Sequence, residues 1–239
     1  SKIINNSKII TNNKYIPENN EFTNDEDNNK SNNESNNKSN NEEHVVEIFL
    51  NSTPCQFSRS KTYNAIQYIG YLDVCRCKPN SENGVHHITI IFNNNSLIEG
   101  KQWKIRLKND NKTRNICVLS SDRRSTKFNK VDTFIGHCAS VKKPDDLMDI
   151  LVVCNNNKRY EDITQITDIF DINRIDLTDI GIKKCKFTVM FDEVDKSNNL
   201  SNACEFINYS KKISCIDSIH LITATPYDKF WKEMEKKNQ

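Results

Sequence analysis

The chain has 239 residues, 28% of them charged, and a formal net charge of +2 that by itself selects no partner. Nine cysteines, an odd number scattered partly inside apolar runs, argue against a disulfide scaffold. They fit reduced, buried thiols in an intracellular setting, whether cytoplasm, nucleus or virion. No apolar run approaches the ~18 residues of a transmembrane helix, and no secretory signal pattern is present, so neither membrane insertion nor secretion is expected.

Residues 1–44 are dominated by Asn, with Ser, Lys and Glu, as in NNKSNNESNNKSNNEE. They hold five Lys/Arg against eight Asp/Glu, a charge of −3, which leaves +5 for the rest. So little apolar surface does not offset the entropy of ordering, and the stretch reads as a disordered low-complexity tail. Lys8–Ile16 (KIITNNKYI) is the one place in it able to pair with something. Residues 45–239 then form one domain of ~190 residues, enough for a substantial core.

The apolar runs predict strands at 46–50, 88–92, 116–119, 150–154, 187–191 and 219–222. Helical patterns fall between them: Lys61–Leu72, Leu97–Leu107, Arg159–Phe170 and Leu200–Lys211. A last helix, Tyr227–Lys237, starts with Thr225 as cap and Pro226 in its first position. Val131–Ile135 and Ala139–Val141 do not decide between helix and strand. Strands alternating with helices at this spacing mean an α/β domain with a mainly parallel sheet. Two runs end in similar Asn-rich turns, FNNNS and CNNNK, which read as two strand ends lining one edge of the sheet.

Phe187–Phe191 is apolar apart from Thr188, which suits a strand buried on both faces, and it runs into Asp192-Glu193-Val194-Asp195. Ligands of open α/β sheets bind just outside the carboxyl ends of the strands. About thirty residues on, Ile219–Ile222 runs into Thr223-Ala224-Thr225-Pro226. The first pattern resembles motif II (Walker B) of DEAD-like superfamily-two helicases, and the second is similar to their motif III. FNNNSLIEGKQWKIRL is similar to a stretch after motif I in helicase-like proteins of large DNA viruses.

The resemblance spans about residues 47–231 and implies the amino-terminal RecA-like domain of a P-loop NTPase, three-layered, with ATP and Mg²⁺ as cofactors. It gives Asp192 to Mg²⁺ through water, and Glu193 to positioning and deprotonating the attacking water. It gives Thr223, Thr225 and Asp195 to coupling hydrolysis with movement on nucleic acid. The plain alternative for the tetrapeptide is an acidic loop after a strand.

A Walker A loop is G-x-x-x-x-G-K-[ST]. Aligned on Lys61-Thr62, this chain reads C-Q-F-S-R-S-K-T, with Cys55 and Ser60 where the glycines belong. The glycines matter because the loop turns its N–H groups inward as an anion nest, in backbone regions costly for other residues. A non-Gly residue held there costs ~1–3 kcal/mol, which converts to roughly a 5- to 150-fold loss of nucleotide affinity. Arg59, Ser60, Lys61 and Thr62 are therefore candidates for a modified phosphate cradle, Lys61 meeting the β/γ-phosphates and Thr62 the Mg²⁺. The alternative is an ordinary Ser-capped helix start.

From Lys101 to Lys130 there are ten Lys/Arg against Asp110 and Asp122, a local excess of +8. That suits tracking of a DNA or RNA backbone, with Lys104, Arg106, Arg123 and Arg124 as candidate contacts. The bland alternative is a solvated helix face of a Lys-rich protein. Cys75-x-Cys77 with His86-His87 lacks the spacing of a zinc knuckle and is discounted. His137 and His220 sit beside apolar runs and read as packed rather than catalytic.

The sequence stops soon after the motif III pattern, and no part of it reads as a second RecA-like domain. By the resemblance that domain, in cis or as a subunit in trans, supplies an arginine finger. Hydrolysis by this chain alone is expected to be absent or barely above background. A non-catalytic, helicase-derived nucleic-acid-binding or scaffold module is the alternative from another class.

Overall fold

A computed structural model describes residues 2–4, 7–12, 46–52, 84–94, 97–110, 115–120, 128–194, 197–223 and 232. Eight strands form one sheet: β1 (Lys2–Ile4), β2 (Ser7–Asn12), β3 (Val46–Ser52), β4 (Val85–Asn93), β5 (Ile116–Leu119), β6 (Ile150–Cys154), β7 (Lys184–Phe191) and β8 (Ile216–Thr223). The described long helices are α1 (Leu97–Asp110), α2 (Val131–Ser140), α3 (Asn157–Asp171) and α4 (Ser197–Ser210). The predicted helices over 61–72 and 227–237 lie outside the described residues.

The strand order is β1-β2-β3-β8-β7-β4-β6-β5. Every pairing from β2 to β5 is parallel, and only β1 turns back antiparallel on β2. The chain is an α/β protein with a mainly parallel sheet. All six predicted strands are present, and 187–191 lies inside the sheet between β8 and β4.

The expected tail is corrected at its start. Residues 2–4 and 7–12 are strands, and Ser7–Asn12 pairs in register with Val46–Asn51. β3 would otherwise leave one row of backbone N–H and C=O groups open, and the Ile-containing KII and KIITN stretches satisfy that row despite the Asn-rich composition around them. Residues 13–45 lie outside the described residues.

Continuous apolar runs are explained by burial on both sheet faces. Along β4, Ile90 and Phe92 enter one cluster and Ile91 the other; along β6, Leu151 and Val153 face Ile150 and Val152 in the same alternation. The larger cluster takes in Phe134 of α2, Ile163, Ile166 and Phe170 of α3, and Phe206 and Ile207 of α4. The smaller one takes in Trp103 and Leu107 of α1. Helices thus cover both faces, α1 on one and α2, α3 and α4 on the other.

Chain direction accounts for this division. The β4–α1–β5 connection runs toward the β5 edge, whereas the connections through α2, α3 and α4 run back toward β8. Parallel crossovers are almost always right-handed, so reversing direction moves the helix to the opposite face. The ambiguous 131–141 stretch resolves as α2, with Val131, Phe134 and Cys138 turned inward at helical spacing.

The described cysteines, Cys117, Cys138, Cys154, Cys185, Cys204 and Cys215, are all buried. Burial pushes the Cys138 and Cys185 thiols up to about 12, so they act as small apolar side chains. Among the described residues no helix is long and apolar enough to cross a membrane.

Candidate functional site

Because the strands are parallel, the carboxyl ends of β3, β8, β7, β4 and β6 share one edge of the sheet. The chain leaves β4 toward the α1 face and leaves its neighbours β7 and β6 toward the opposite face. That is a topological switch point, the place where ligands of open α/β sheets bind. The motif II pattern and the two Asn-rich turns fall there.

Phe191 pairs with Phe92 across β7 and β4, and the two rings stack with centroids 4.8 Å apart. Tyr160 of α3 stacks on Phe92 from 4.7 Å, and Phe206 of α4 meets both phenyl rings edge-on. Each fully buried phenyl contributes ~1.5–3 kcal/mol. Phe92 and Phe191 close their strands immediately before the Asn-rich and acidic turns, so the cluster packs the core up to this edge.

The turn is pinned from both sides. The Asp192 N–H donates to Phe92 O at 2.8 Å, tying it to β4, and the Val194 N–H donates to Ile222 O at 3.1 Å, tying it to β8. Between these two clamps Glu193 is held at φ +51°, in the left-handed region that disfavours side chains with a Cβ. Asp192 is buried, with 6% of its surface exposed, while Glu193 is half-buried.

The Asn94 side-chain amide donates to Glu193 Oε2, and also to Glu99 Oε1 at 3.4 Å. Glu99 lies in the first turn of α1, where an acidic side chain complements the helix dipole. Asn93 is buried and its carbonyl accepts from the Asn155 N–H at 2.9 Å, so the two Asn-rich turns line one edge as the sequence suggests. Asn156 caps α3, its side chain accepting from the Arg159 N–H at 3.1 Å.

Of the predicted site residues, the structure brings Asp192, Glu193 and Thr223 to this edge. Phe191 and Leu221 are the last partners of the β7–β8 ladder, the Val194 N–H donates to Ile222 O, and Thr223 pairs with Ser52 at the end of β3, so Thr223 follows directly beside the acidic turn. Thr223 is buried. Arg59, Ser60, Lys61, Thr62, Arg123, Arg124, Asp195 and Thr225 lie outside the described residues. Lys104 is half-buried and Arg106 exposed on α1, which also exposes Lys101 and Lys108.

Sequence reasoning missed the link from Asn94 to Glu193, which joins residues 99 positions apart. The only signal for it was the Asn-rich turn itself. His220 behaves as expected, stacked on Phe49 at 4.5 Å with burial holding its pKa down at about 4. His86 is also packed, its Nε2 2.9 Å from Met148 O. Cys75 and Cys77 lie outside the described residues.

Among the described residues, no group of three or more His, Cys, Asp or Glu could hold a metal ion. The buried Asp192 carboxylate is a hard oxygen donor, and Mg²⁺ commonly binds through one or two carboxylates while keeping water and substrate phosphates as its other ligands. In that manner Asp192 fits a Mg²⁺–nucleotide and does not by itself make a metal cage. A surface groove of about 680 Å³ between α3 and α4, lined by Tyr160, Asp168, Glu205 and Tyr209 among others, contains none of the predicted site residues. No protein-family model, curated protein or solved structure matches this chain.

Proposed function

We propose that the chain is a helicase-like nucleotide- and nucleic-acid-binding module: a RecA-like ATP-binding domain that takes Mg²⁺–ATP weakly and is poor at hydrolysing it alone. The observation that carries this reading is the convergence of Asp192, Glu193 and Thr223 at the switch-point edge, beside the end of β3. β3, the described strand that precedes Lys61 and Thr62 in the sequence, ends next to the Thr223 strand, which supports this reading. In this reading Asp192 binds the Mg²⁺ of the nucleotide through water, and Glu193 orients a water and takes its proton. Thr223, with Thr225 and Asp195, relates the nucleotide to nucleic acid. Lys101, Lys104 and Lys108 share one side of α1 at helical spacing and offer a DNA or RNA backbone a row of cations, while the exposed Arg106 lies on another side of the helix. A second RecA-like domain or subunit would complete the motor.

A titration with Mg²⁺ and a non-hydrolysable ATP analogue tests this. Weak, saturable binding that needs Mg²⁺ and is lost in Asp192→Asn is expected. Binding indifferent to both Mg²⁺ and Asp192 would remove the nucleotide role. The absence of glycine at Cys55 and Ser60 favours a second reading, a non-catalytic nucleic-acid-binding or scaffold module. It predicts oligonucleotide binding with no nucleotide response.

A further inference from the structure

We propose that the groove between α3 and α4 receives α1 of a second copy of this chain, so that copies assemble head to tail. The groove contains none of Asp192, Glu193 and Thr223, so the inference is independent of the nucleotide reading. Along α3 its wall is built from Tyr160, Thr164, Asp168 and Ile172, about one residue per helical turn. At a rise of ~1.5 Å per residue that wall runs about 18 Å. Both walls are helices, whose backbone groups are bonded internally, so an occupant is held by its side chains, as a helix in a groove is. Among the described residues the exposed large apolar side chains are Ile98, Ile105 and Ile172. The first two belong to α1, and the third lines the groove. Ile98, Lys101, Ile105 and Lys108 follow one another at helical spacing, so one side of α1 is both apolar and basic. The groove answers both characters. Ile169, Ile172 and Phe206 supply apolar surface, and Glu161, Asp168 and Glu205 outnumber Arg174. Asp168 is half-buried and takes a hydrogen bond from the neutral Tyr209 hydroxyl at 2.7 Å. Lys101 and Lys108 are as far apart on α1 as Glu161 and Asp168 are on α3, about 10.5 Å by the helical rise. The exposed Glu161–Lys158 pair is exchanged at little cost. α1 covers one face of the sheet and α3 and α4 the other, so the two surfaces of one copy point in opposite directions. The contact is therefore heterologous and adds copies in a row or ring, rather than closing a two-fold dimer. Lys101 and Lys108 also belong to the cation row proposed for nucleic acid, so an oligonucleotide and a docked copy compete for α1.

Sedimentation velocity of the full chain, freed of nucleic acid, is measured over a concentration series for the natural sequence and two variants. Ile98→Gln with Ile105→Gln strips α1 of its apolar anchors, and Glu161→Lys with Glu205→Lys turns the groove basic. The natural chain is expected to sediment faster as concentration rises. Each variant alone should associate at least about 10-fold more weakly. When the two are mixed, the groove variant still offers an intact α1 and the α1 variant an intact groove. The mixture should therefore form a dimer at the natural chain's affinity and nothing larger. A natural chain that stays monomeric at every concentration overturns the proposal, and so does a mixture that fails to associate. Association of either variant alone as strong as that of the natural chain would put the contact elsewhere and overturn it too. The substituted positions are all exposed, so each variant is expected to fold. Thermal melts check this, and Ile172→Gln replaces the groove pair if that pair melts low.

Discussion

Glu193 occupies a backbone conformation that only glycine adopts freely, and this gives a stability test with an unusual sign. At an ordinary position Ala→Gly destabilises, because glycine loses more chain entropy on folding, by ~0.5–1 kcal/mol. At φ +51° a Cβ carries a penalty of ~1–2 kcal/mol that glycine escapes. The difference leaves Glu193→Gly above Glu193→Ala by roughly 0.5–1 kcal/mol. Both variants lose the Asn94 hydrogen bond, so that contact cancels between them. For a domain of 150–250 residues a kilocalorie shifts Tm by about 2–4 °C, so Glu193→Gly should melt about 1–4 °C above Glu193→Ala. The control is Glu161, exposed on α3, where its only described partner is Lys158 at 3.2 Å. There Gly should melt below Ala by a similar margin, since glycine in an exposed helix interior costs ~1 kcal/mol. Differential scanning calorimetry on the four variants decides the matter. The same sign at both positions would show that Glu193 is not held in the left-handed region, and the pinned-turn account would fall.

Acid sensitivity should come in part from His220. Burial lowers its folded-state pKa to about 4, so the unfolded chain binds the extra proton between that value and its ordinary 6.5. Stability is therefore full above about pH 6.5 and falls as pH drops toward 4, by about 3 kcal/mol from this group. His220→Phe, which keeps the stack on Phe49, should flatten denaturation midpoints across that window; an unchanged pH profile would refute the assignment. Reversing Lys104, Arg106, Arg123 and Arg124 to Glu should weaken oligonucleotide binding and flatten its salt dependence, as read by anisotropy at several salt concentrations. Unchanged affinity in that variant would take nucleic acid off this face.

The strands were legible because β4, β6, β7 and β8 are buried on both faces and so read as unbroken apolar runs. Their beginnings were not. Lys184 is exposed and Lys186 half-buried, yet both lie in β7, whose ladder with β4 starts at Val85. β1 and β2 were hidden for a different reason. Their few isoleucines sit in a stretch whose overall composition predicts disorder, and only pairing with β3, decided across 39 positions of chain between Ser7 and Val46, turns them into strands. Asp192, Glu193 and Thr223 could be placed on one edge from the strand ends alone, since parallel strands put their carboxyl ends together. Which strands neighbour one another, and hence that Asn94 reaches Glu193 rather than only Glu99, depends on crossovers that no local pattern encodes.

The central claim is that the switch-point edge is a nucleotide site weakened by its phosphate loop. The most direct measurement is the affinity for a Mg²⁺–ATP analogue of the natural chain and of Cys55→Gly with Ser60→Gly. Relief of ~1–3 kcal/mol of backbone strain predicts a gain of about 5- to 150-fold, abolished when Asp192→Asn is added. Equal affinity of the natural and glycine-restored chains would mean that the stretch ending at Lys61-Thr62 is no phosphate cradle, and rapid turnover by the natural chain would contradict the account from the other side.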